Sequence, residues 1–353
     1  MSNYIINGLN IGFAKKMTGV QRVCRELTYR LDKLVKDTEI NIWYIYDVDE
    51  LNLIIVPDQL KNIKLIPVKK DNGPFWKDRI VRMKLKELNA LLICLSFETI
   101  FAKNQILLLH DLRAVTTSFD IPKIRLKYKL KMMLVKHTCK MILTVSEFQK
   151  EAIQQYFHIN QKDKIHVIYN GYEHVMDIKP DYSIFKRYPQ IREKEFFYSL
   201  GSLAPHKNFQ WVIEVAKRNK DRMFVIAGGK DLLTWKDNIE NNNMHNVIFV
   251  GYVSDEENRA LMEKCLAFIH PAKYEGFGIP PLEALAYGAK ILISNATCLP
   301  EIYEDCAVYF DPDDYDVNFD DMLNEPVAKY NKVLEKCSWN KSAKKLFELL
   351  EKS

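Results

Sequence analysis

The chain has 353 residues, enough for two domains, and its 48% hydrophobic and 27% charged residues are typical of a folded globular protein. No run of eighteen apolar residues occurs, which excludes an integral membrane protein with spanning helices. Residues 1–170 carry a net charge of +11 and residues 171–353 a net charge of −6, which suggests two domains that face different partners.

The seven cysteines are scattered, odd in number and include no CxxC pair. They indicate reduced thiols and support neither a disulfide framework nor a zinc site. The first residues show no basic segment followed by an apolar one, so no signal peptide is expected. Together these features predict a cytoplasmic protein.

Short β-branched and aromatic runs alternate with helical patterns along the chain, which predicts parallel sheets with helices on both faces. A charged, proline-containing stretch at 171–195 is the candidate interdomain connection. The prediction is two doubly wound α/β domains with a ligand cleft between them. The predicted strands cover residues 4–6, 40–45, 91–94, 106–109, 141–145, 165–169, 196–200, 223–227, 247–250, 266–269 and 290–293. The predicted helices cover residues 21–35, 209–219, 256–264, 281–287 and 339–352.

Two residues of the first half lie where a doubly wound sheet binds ligands. Gly19 precedes a helical pattern, where a glycine lets the backbone approach a ligand. His110 follows a continuously apolar strand at its carboxyl end. Taken alone, each has an ordinary alternative: a turn for Gly19 and a ring tied to nearby backbone for His110.

Residues 123–140 form a basic stretch with helical periodicity, in which Leu126, Leu130, Met133 and Leu134 share one face. An anionic bilayer surface could bind such a helix. The alternative is a core helix with a solvated basic face. Nucleic acid would also fit the charge, but no nucleic-acid motif accompanies it.

In the second half, a strand end leads into the segment at 200–208, LGSLAPHKN, and then into a helix. Lys207 could place a positive charge on a diphosphate and stabilise a leaving nucleotide. The alternative is a solvated surface lysine.

The segment EGFGIPPLEALAYG at 275–288 contains a pair of glutamates. Its glycines and a helix predicted to start near Pro281 favour a phosphate cradle built from backbone N–H groups. Glu275 is predicted before the helix and Glu283 in its first turn, where the two carboxylates could accept hydrogen bonds from sugar and ribose hydroxyls. For Glu283 the alternative is a simple interaction with the helix N-terminus.

The Glu275-x7-Glu283 spacing within this segment resembles the paired-glutamate motif of retaining GT-B glycosyltransferases, in particular glycosyltransferase family 4 (glycosyl transferases group 1). The resemblance continues through residues 289–294, 300–302 and 309–312 and covers nearly the whole second half. It implies a GT-B fold of two Rossmann-like domains facing an interdomain cleft. The implied division is an acceptor-side domain at 1–175, a donor-side domain at 176–335, and a C-terminal helix at 336–353 that returns toward the first domain.

The resemblance also implies roles for individual residues. Glu275 would contact the donor sugar, Glu283 the nucleotide ribose and Lys207 the diphosphate. Ser202 and His206 stand where many members have arginines, so Lys207 is expected to hold the phosphates with less help. The implied catalytic residues are Glu275, Lys207 and His110, and the implied donor-binding residues are Gly19, Gly201, Ser202, His206, Lys207, Val253, Glu275, Phe277, Gly278, Ile279 and Glu283.

The resulting prediction is a retaining hexosyltransferase that uses a nucleotide-diphosphate sugar. Its expected acceptor is a saccharide, in particular a lipid-linked oligosaccharide of bacterial surface polysaccharide (capsule, O-antigen or exopolysaccharide), reached from the inner face of the membrane. No cofactor and no metal are expected, and Asp47-Val48-Asp49, which superficially matches an Asp-x-Asp metal motif, is interpreted as a solvated turn. Two alternatives stay open: a nucleotide-sugar epimerase of similar fold and a non-catalytic sugar-binding scaffold. The sequence patterns leave the nucleotide base, the sugar and the linkage open.

Overall fold

The computed structural model describes residues 2–9, 18–50, 59–96, 102–159, 164–228 and 244–353. The chain divides into two compact units, one formed by Met1–Asn170 with Ser338–Ser353 and the other by Gly171–Cys337. Each unit is built on one parallel β-sheet, as the alternation of strands and helices predicts.

The sheet of the first unit has the strand order β3-β2-β1-β4-β5-β6-β7 in the described residues, with every neighbouring pair parallel. This is a Rossmann-like order. Successive strands are added on one side of β1 up to β3 and on its other side from β4 onward, so the strand order reverses between β1 and β4. The seven strands are β1 Ser2–Asn7, β2 Ile40–Asp47, β3 Lys64–Val68, β4 Leu91–Cys94, β5 Gln105–Leu108, β6 Cys139–Thr144 and β7 Ile165–Val167.

Apolar side chains of this sheet pack against helices that cross between its strands. Ile5, Leu92 and Leu107 on the strands share one buried cluster with Val81 and Met132 on helices. Removing this apolar surface from water supplies the main stabilising free energy of the unit. The helices are α1 Gly19–Leu34, α2 Trp76–Glu87, α3 Arg113–Thr116, α4 Pro122–Thr138 and α5 Glu147–Phe157.

The sheet of the second unit has the strand order β10-β9-β8-β11-β12-β13, again with parallel neighbours throughout the described residues. Its order matches that of the first sheet, and its direction reverses between β8 and β11. The strands are β8 Phe196–Leu200, β9 Met223–Ala227, β10 Val247–Gly251, β11 Ala267–His270, β12 Ile291–Ser294 and β13 Val308–Phe310.

Aromatic rings fill much of the second core. Phe197 stacks on Phe224 with ring centroids 5.3 Å apart, and Trp211 stacks on Phe310 at 4.1 Å. The helices around this sheet are α6 Ser183–Arg187, α7 Phe209–Arg218, α8 Asp255–Lys264, α9 Ile279–Ala286, α10 Leu299–Tyr303, α11 Phe319–Asn324 and α12 Asn331–Lys336.

The last helix, α13 Trp339–Glu351, belongs to the first unit, where it packs on α1. The Tyr4 hydroxyl donates a hydrogen bond to the carbonyl of Leu350 at 2.7 Å, and Arg30 donates to the side chain of Asn340 at 2.8 Å. Among the helices within the described ranges, none has the length and apolar character needed to cross a membrane.

Candidate active site

The candidate site lies in the second unit, where the loops after β8 and β11 meet. These strands are neighbours, and the strand order reverses between them. Ligands of open α/β sheets bind outside the carboxyl ends of the strands at such a reversal. Lys207 ends a short 3-10 helix, Pro205–Lys207, after β8, and Glu275 lies in the loop after β11.

Glu275 is a buried carboxylate that two side chains contact through the same oxygen atom. Its Oε1 accepts from Nζ of Lys207 at 2.6 Å and from Nε2 of His270 at 2.8 Å. Its backbone N–H donates to Oγ1 of Thr297 at 3.1 Å. Burial by itself would raise the pKa of Glu275, but the positive charge of Lys207 and the hydrogen bond from His270 hold that pKa well below its ordinary value. The carboxylate is therefore ionised at neutral pH.

Asn208 ties three loops of the site together. It adopts the left-handed backbone conformation, with φ of 56°, directly before α7. Its side-chain Nδ2 donates to the carbonyl of Pro271 at 3.1 Å and to that of Pro312 at 2.9 Å. The backbone N–H of Lys273 also donates to the carbonyl of His206 at 2.8 Å. These bonds fix the position of Lys207 relative to the loop that carries Glu275.

Glu283 lies two residues further into α9 than the sequence predicts. The helix begins at Ile279 and not near Pro281, so Glu283 is in its second turn, and the first-turn prediction is wrong. A simple interaction with the helix N-terminus therefore explains Glu283 poorly, because that effect falls off within the first turn. Instead, Oε1 of Glu283 accepts from Nε2 of His174 at 2.9 Å.

The start of α9 differs from the predicted phosphate cradle in its donors. Pro280 and Pro281 occupy the second and third helical positions and have no N–H, which leaves Ile279 as the donor of that turn. Gly278 has φ of 86°, which favours glycine, and its carbonyl accepts from the hydroxyl of Tyr303. The side chain of Phe277 is buried, so a ligand can meet this residue through its backbone.

Glycines bring the carboxyl ends of β8, β9 and β10 close together. The N–H of Gly201 donates to the carbonyl of Ala227 at 3.1 Å, and the N–H of Gly228 donates to that of Gly251 at 2.9 Å. A Cβ atom on Gly228 would lie 1.8 Å from the carbonyl oxygen of Gly201. Beside this contact Ser202 is exposed, whereas the side chain of Val253 is buried and belongs to the core.

Two predicted site residues, His110 and Gly19, belong to the first unit. Nε2 of His110 lies 2.9 Å from the carbonyl oxygen of Leu95, so it carries the proton and Nδ1 is the acceptor. Burial lowers the pKa of His110, against the opposing effects of the Leu95 carbonyl and of the Asp111 charge. Gly19 is the exposed first residue of α1, next to Thr18, whose N–H donates to Oε1 of Gln21 at 2.8 Å.

The Asp-x-Asp sequence is a structural turn. The prediction of a solvated turn is wrong for Asp47, which is buried. Its Oδ1 accepts from the N–H of Asp49 at 2.9 Å. Asp49 in turn accepts from the N–H of Lys70 at 3.2 Å. Within the described ranges, no group of three or more His, Cys, Asp or Glu side chains could hold a metal ion.

No sequence pattern singled out above indicates His174, His270 or the bridging role of Asn208. His174 and Glu283 are 109 residues apart in the chain, a separation at which no local pattern indicates a contact. His270 is closer, five residues before Glu275 at the end of a buried strand, and this spacing is the one signal that could have indicated it.

Residues 182–336 match the family model described as glycosyl transferases group 1. The chain is 31% identical over 268 residues to the O-antigen chain mannosyltransferase RfbU of Salmonella typhimurium, covering 74% of this chain and 71% of that protein. The chain belongs to the glycosyl transferases group 1. It is also 28% identical over 231 residues to O-antigen chain mannosyltransferase B of Escherichia coli, covering 58% of each chain.

A solved structure of the sucrose-phosphate synthase from Thermosynechococcus elongatus has the same fold. It covers 100% of this chain with a TM-score of 0.75 at 14% sequence identity. Membership of glycosyl transferases group 1, the GT-B fold class and hexosyltransferase activity are thereby confirmed, whereas family 4 and retention of configuration stay predictions. The roles of single residues stay predictions.

Proposed function

We propose that this group 1 glycosyltransferase moves a hexose from a nucleotide-diphosphate sugar to a saccharide acceptor with retention of configuration. The observation that carries the proposal is the contact between Lys207 and Glu275 at the reversal of the strand order. In a nucleotide sugar the diphosphate is bonded directly to the sugar ring. A cation that binds the diphosphate and a carboxylate that binds the sugar must therefore lie side by side.

At the diphosphate, Lys207 supplies the positive charge. On donor binding its ammonium group would turn from Glu275 to a phosphate oxygen, which offers a stronger charge. The N–H of Ile279 would add a hydrogen bond at the start of α9. Charge develops on the phosphate as the glycosidic bond breaks, so Lys207 stabilises the transition state more than the ground state.

At the sugar, Glu275 accepts hydrogen bonds from hydroxyl groups. Its lowered pKa keeps it ionised, and an ionised carboxylate only accepts. His270 holds the side chain at Oε1, so the sugar meets a carboxylate that is already oriented. We assign Glu275 this orienting role and not that of a covalent nucleophile.

At the nucleotide, Glu283 accepts from the ribose hydroxyls while His174 fixes its Oε1. The assignment of His110 to the donor sugar rests on the family resemblance alone; burial lowers the pKa of His110, which favours a neutral ring.

The proposed reaction exchanges one bond to the anomeric carbon for another. The bond from that carbon to the diphosphate oxygen breaks, and the acceptor oxygen forms a new bond on the same face of the sugar. The acceptor proton passes to the leaving phosphate, so proton and charge balance without a protein base. Protein groups position the reactants and stabilise charge, and no metal takes part.

For the substrates we propose a mannosyl donor and a lipid-linked oligosaccharide of a surface polysaccharide, used by an enzyme on the cytoplasmic face of a membrane. The names of the two relatives, both O-antigen chain mannosyltransferases, support the mannosyl donor and the surface polysaccharide. The epimerase and scaffold alternatives have no comparable support.

Incubation with a panel of nucleotide sugars, with and without saccharide acceptors, tests the proposal. We expect product and free nucleoside diphosphate when both substrates are present. Thermal stabilisation by UDP, GDP, dTDP or CDP identifies the base, since bound ligand raises apparent stability by mass action. Isomerised donor without acceptor would establish the epimerase instead, and binding without any turnover would establish the scaffold.

A further inference from the structure

Helix α4 presents apolar side chains to solvent. Leu126, Leu130 and Met133 are 60%, 56% and 67% exposed, and they lie along one line of the helix. The helix packs on the sheet through a different line, with Met132 and Val135 buried. The helix thus packs on the core and has a solvated basic face, but the Leu126 line is not the part that it buries.

Lysines flank this apolar line on both sides. A helical period of 3.6 residues places Lys123 and Lys127 along one edge of the line and Lys129 along the other, and all three are exposed. Residues 122–138 include six Lys or Arg and no Asp or Glu. An apolar line between rows of lysine is typical of helices that lie in the plane of a membrane interface.

Helix α2 extends the same surface. The connections from β3 to β4 and from β5 to β6 cross the sheet in the same direction, so right-handed crossovers place α2 and α4 on the same face. Val81 of α2 and Met132 of α4 accordingly share one core cluster. At the start of α2, Phe75 is 72% exposed, and Met83 within it is 53% exposed.

The α2–α4 surface, defined as the solvent side of residues 75–87 and 121–138, concentrates charge and apolar area together. Helices α2 and α4 contain eleven Lys or Arg and two Asp or Glu, a net charge of +9 in a chain whose total is +5. Among the described residues, seven of the twelve exposed large hydrophobic side chains belong to it: Phe75, Met83, Ile121, Ile124, Leu126, Leu130 and Met133.

We propose that the α2–α4 surface docks this enzyme on an anionic lipid bilayer, with the Leu126, Leu130 and Met133 side chains entering the interface. This deepens the proposed function and rests on it for the presence of a lipid-linked acceptor. A second copy of the chain would oppose positive to positive charge. Nucleic acid would pair with the lysines but leave the apolar line in water, whereas an anionic bilayer accommodates both.

Co-sedimentation with vesicles measures docking without donor or acceptor, so it is independent of turnover. We expect the wild type to pellet with phosphatidylglycerol-containing vesicles and not with pure phosphatidylcholine vesicles. Binding should weaken in high salt without vanishing, because screening reduces the electrostatic part and leaves the apolar part.

Three variants separate these contributions. Lys127→Glu with Lys129→Glu should reduce vesicle binding by about tenfold or more, given the attraction of each cation to an anionic surface. Leu126→Gln with Leu130→Gln and Met133→Gln should abolish the binding that survives high salt. The matched control, Lys344→Glu with Lys345→Glu, changes two exposed lysines of α13 and should bind within about twofold of wild type.

Circular dichroism and thermal melting of each variant show whether it is folded, which is expected because the substituted side chains are exposed. The proposal is overturned if the wild type ignores anionic vesicles, or if the α13 control loses as much binding as the α4 charge variant. A third outcome would also overturn the proposal: a DNA duplex binds the wild type as tightly as the vesicles do, and the Gln variant binds DNA and vesicles like the wild type. That result would identify a nucleic-acid surface.

Discussion

Two histidines hold the two glutamates of the proposed donor site, each through Nε2. His270 donates to Glu275 at 2.8 Å, and His174 donates to Glu283 at 2.9 Å. A buried carboxylate is costly unless it is hydrogen-bonded, so these rings both stabilise the fold and set the direction of the acceptor oxygens. The site is therefore oriented before the donor arrives, which reduces the reorganisation needed for transfer.

His174→Leu tests this arrangement at the ribose end. Loss of the hydrogen bond should weaken donor binding by about tenfold, since one net hydrogen bond to a charged group is worth about 1.5–3 kcal/mol and part of it is regained from water. His174→Gln can still donate near the position of Nε2 and should recover most of the affinity. The KM for the donor should rise more than kcat falls. A Leu variant with wild-type KM, or a Gln variant as impaired as Leu, would contradict the positioning role.

His110 predicts a pH dependence of stability. Its pKa lies below the ordinary value of about 6.5 because the ring is buried. At a pH between the pKa of His110 in the folded chain and its pKa of about 6.5 in the unfolded chain, the unfolded chain binds more protons. The free energy of unfolding therefore decreases as the pH falls below about 6.5. His110→Gln removes the titrating group and should reduce the difference in stability between neutral and mildly acidic pH. Urea unfolding of the wild type and the variant at neutral and at mildly acidic pH measures this difference. If the difference in stability is the same in both proteins, His110 does not cause the pH dependence.

At the scale of elements, backbone contacts between strand ends shape the donor site. The loops after β8, β11 and β13 are joined by Asn208, and the ends of β8 and β9 approach each other at Gly201 and Gly228. Gly228 also has φ of 139°, a conformation that side chains rarely adopt.

Gly228→Ala should strongly destabilise the second unit. The new Cβ would lie 1.8 Å from a backbone oxygen that cannot move without disturbing β8. Gly288→Ala is the matched control, because Gly288 also has positive φ, at 78°, but no atom lies within 4 Å of the added Cβ. We expect a cost of about 1–2 kcal/mol at Gly288 from the backbone alone and a larger cost at Gly228. Equal losses in thermal melting would show that the Gly201 contact has no energetic importance.

The strands that the sequence predicts are short runs rich in β-branched and aromatic residues, several of them continuously apolar. The sequence does not predict β3 or β13, and for β3 the reason is that it is a short edge strand interrupted by Pro67. The start of α9 was placed two residues late, since Pro280 and Pro281 fit helical positions one to three almost equally well. Local patterns thus predict the elements better than their ends.

At the scale of the molecule, the candidate site could be predicted only in part. Glu275 and Glu283 are indicated by one short motif, and Lys207 by a separate short segment at 200–208. The contacts that orient them join residues from different loops, such as Asn208 with Pro312, and depend on the completed sheet. The α2–α4 surface was predicted only through α4, because the direction in which an amphipathic helix packs is decided by the tertiary fold.

Metal independence is a prediction that concerns the whole enzyme. With Lys207 and backbone N–H groups assigned to the diphosphate, sugar transfer should persist at its full rate in excess EDTA. Initial rates with and without EDTA measure this. Complete loss of activity, restored by Mn²⁺ or Mg²⁺, would show that a divalent ion carries the charge that we assign to Lys207.

The rate of sugar transfer by Lys207→Ala tests the central claim most directly. Lys273→Ala is the control, because Lys273 lies in the loop of Glu275 and forms an ion pair with Asp313 at the surface. If Lys207 neutralises the leaving diphosphate, its replacement should lower kcat by about 10²-fold or more, whereas Lys273→Ala should remain near wild type. Wild-type turnover in Lys207→Ala, or equal losses in both variants, would contradict the assignment of the donor site.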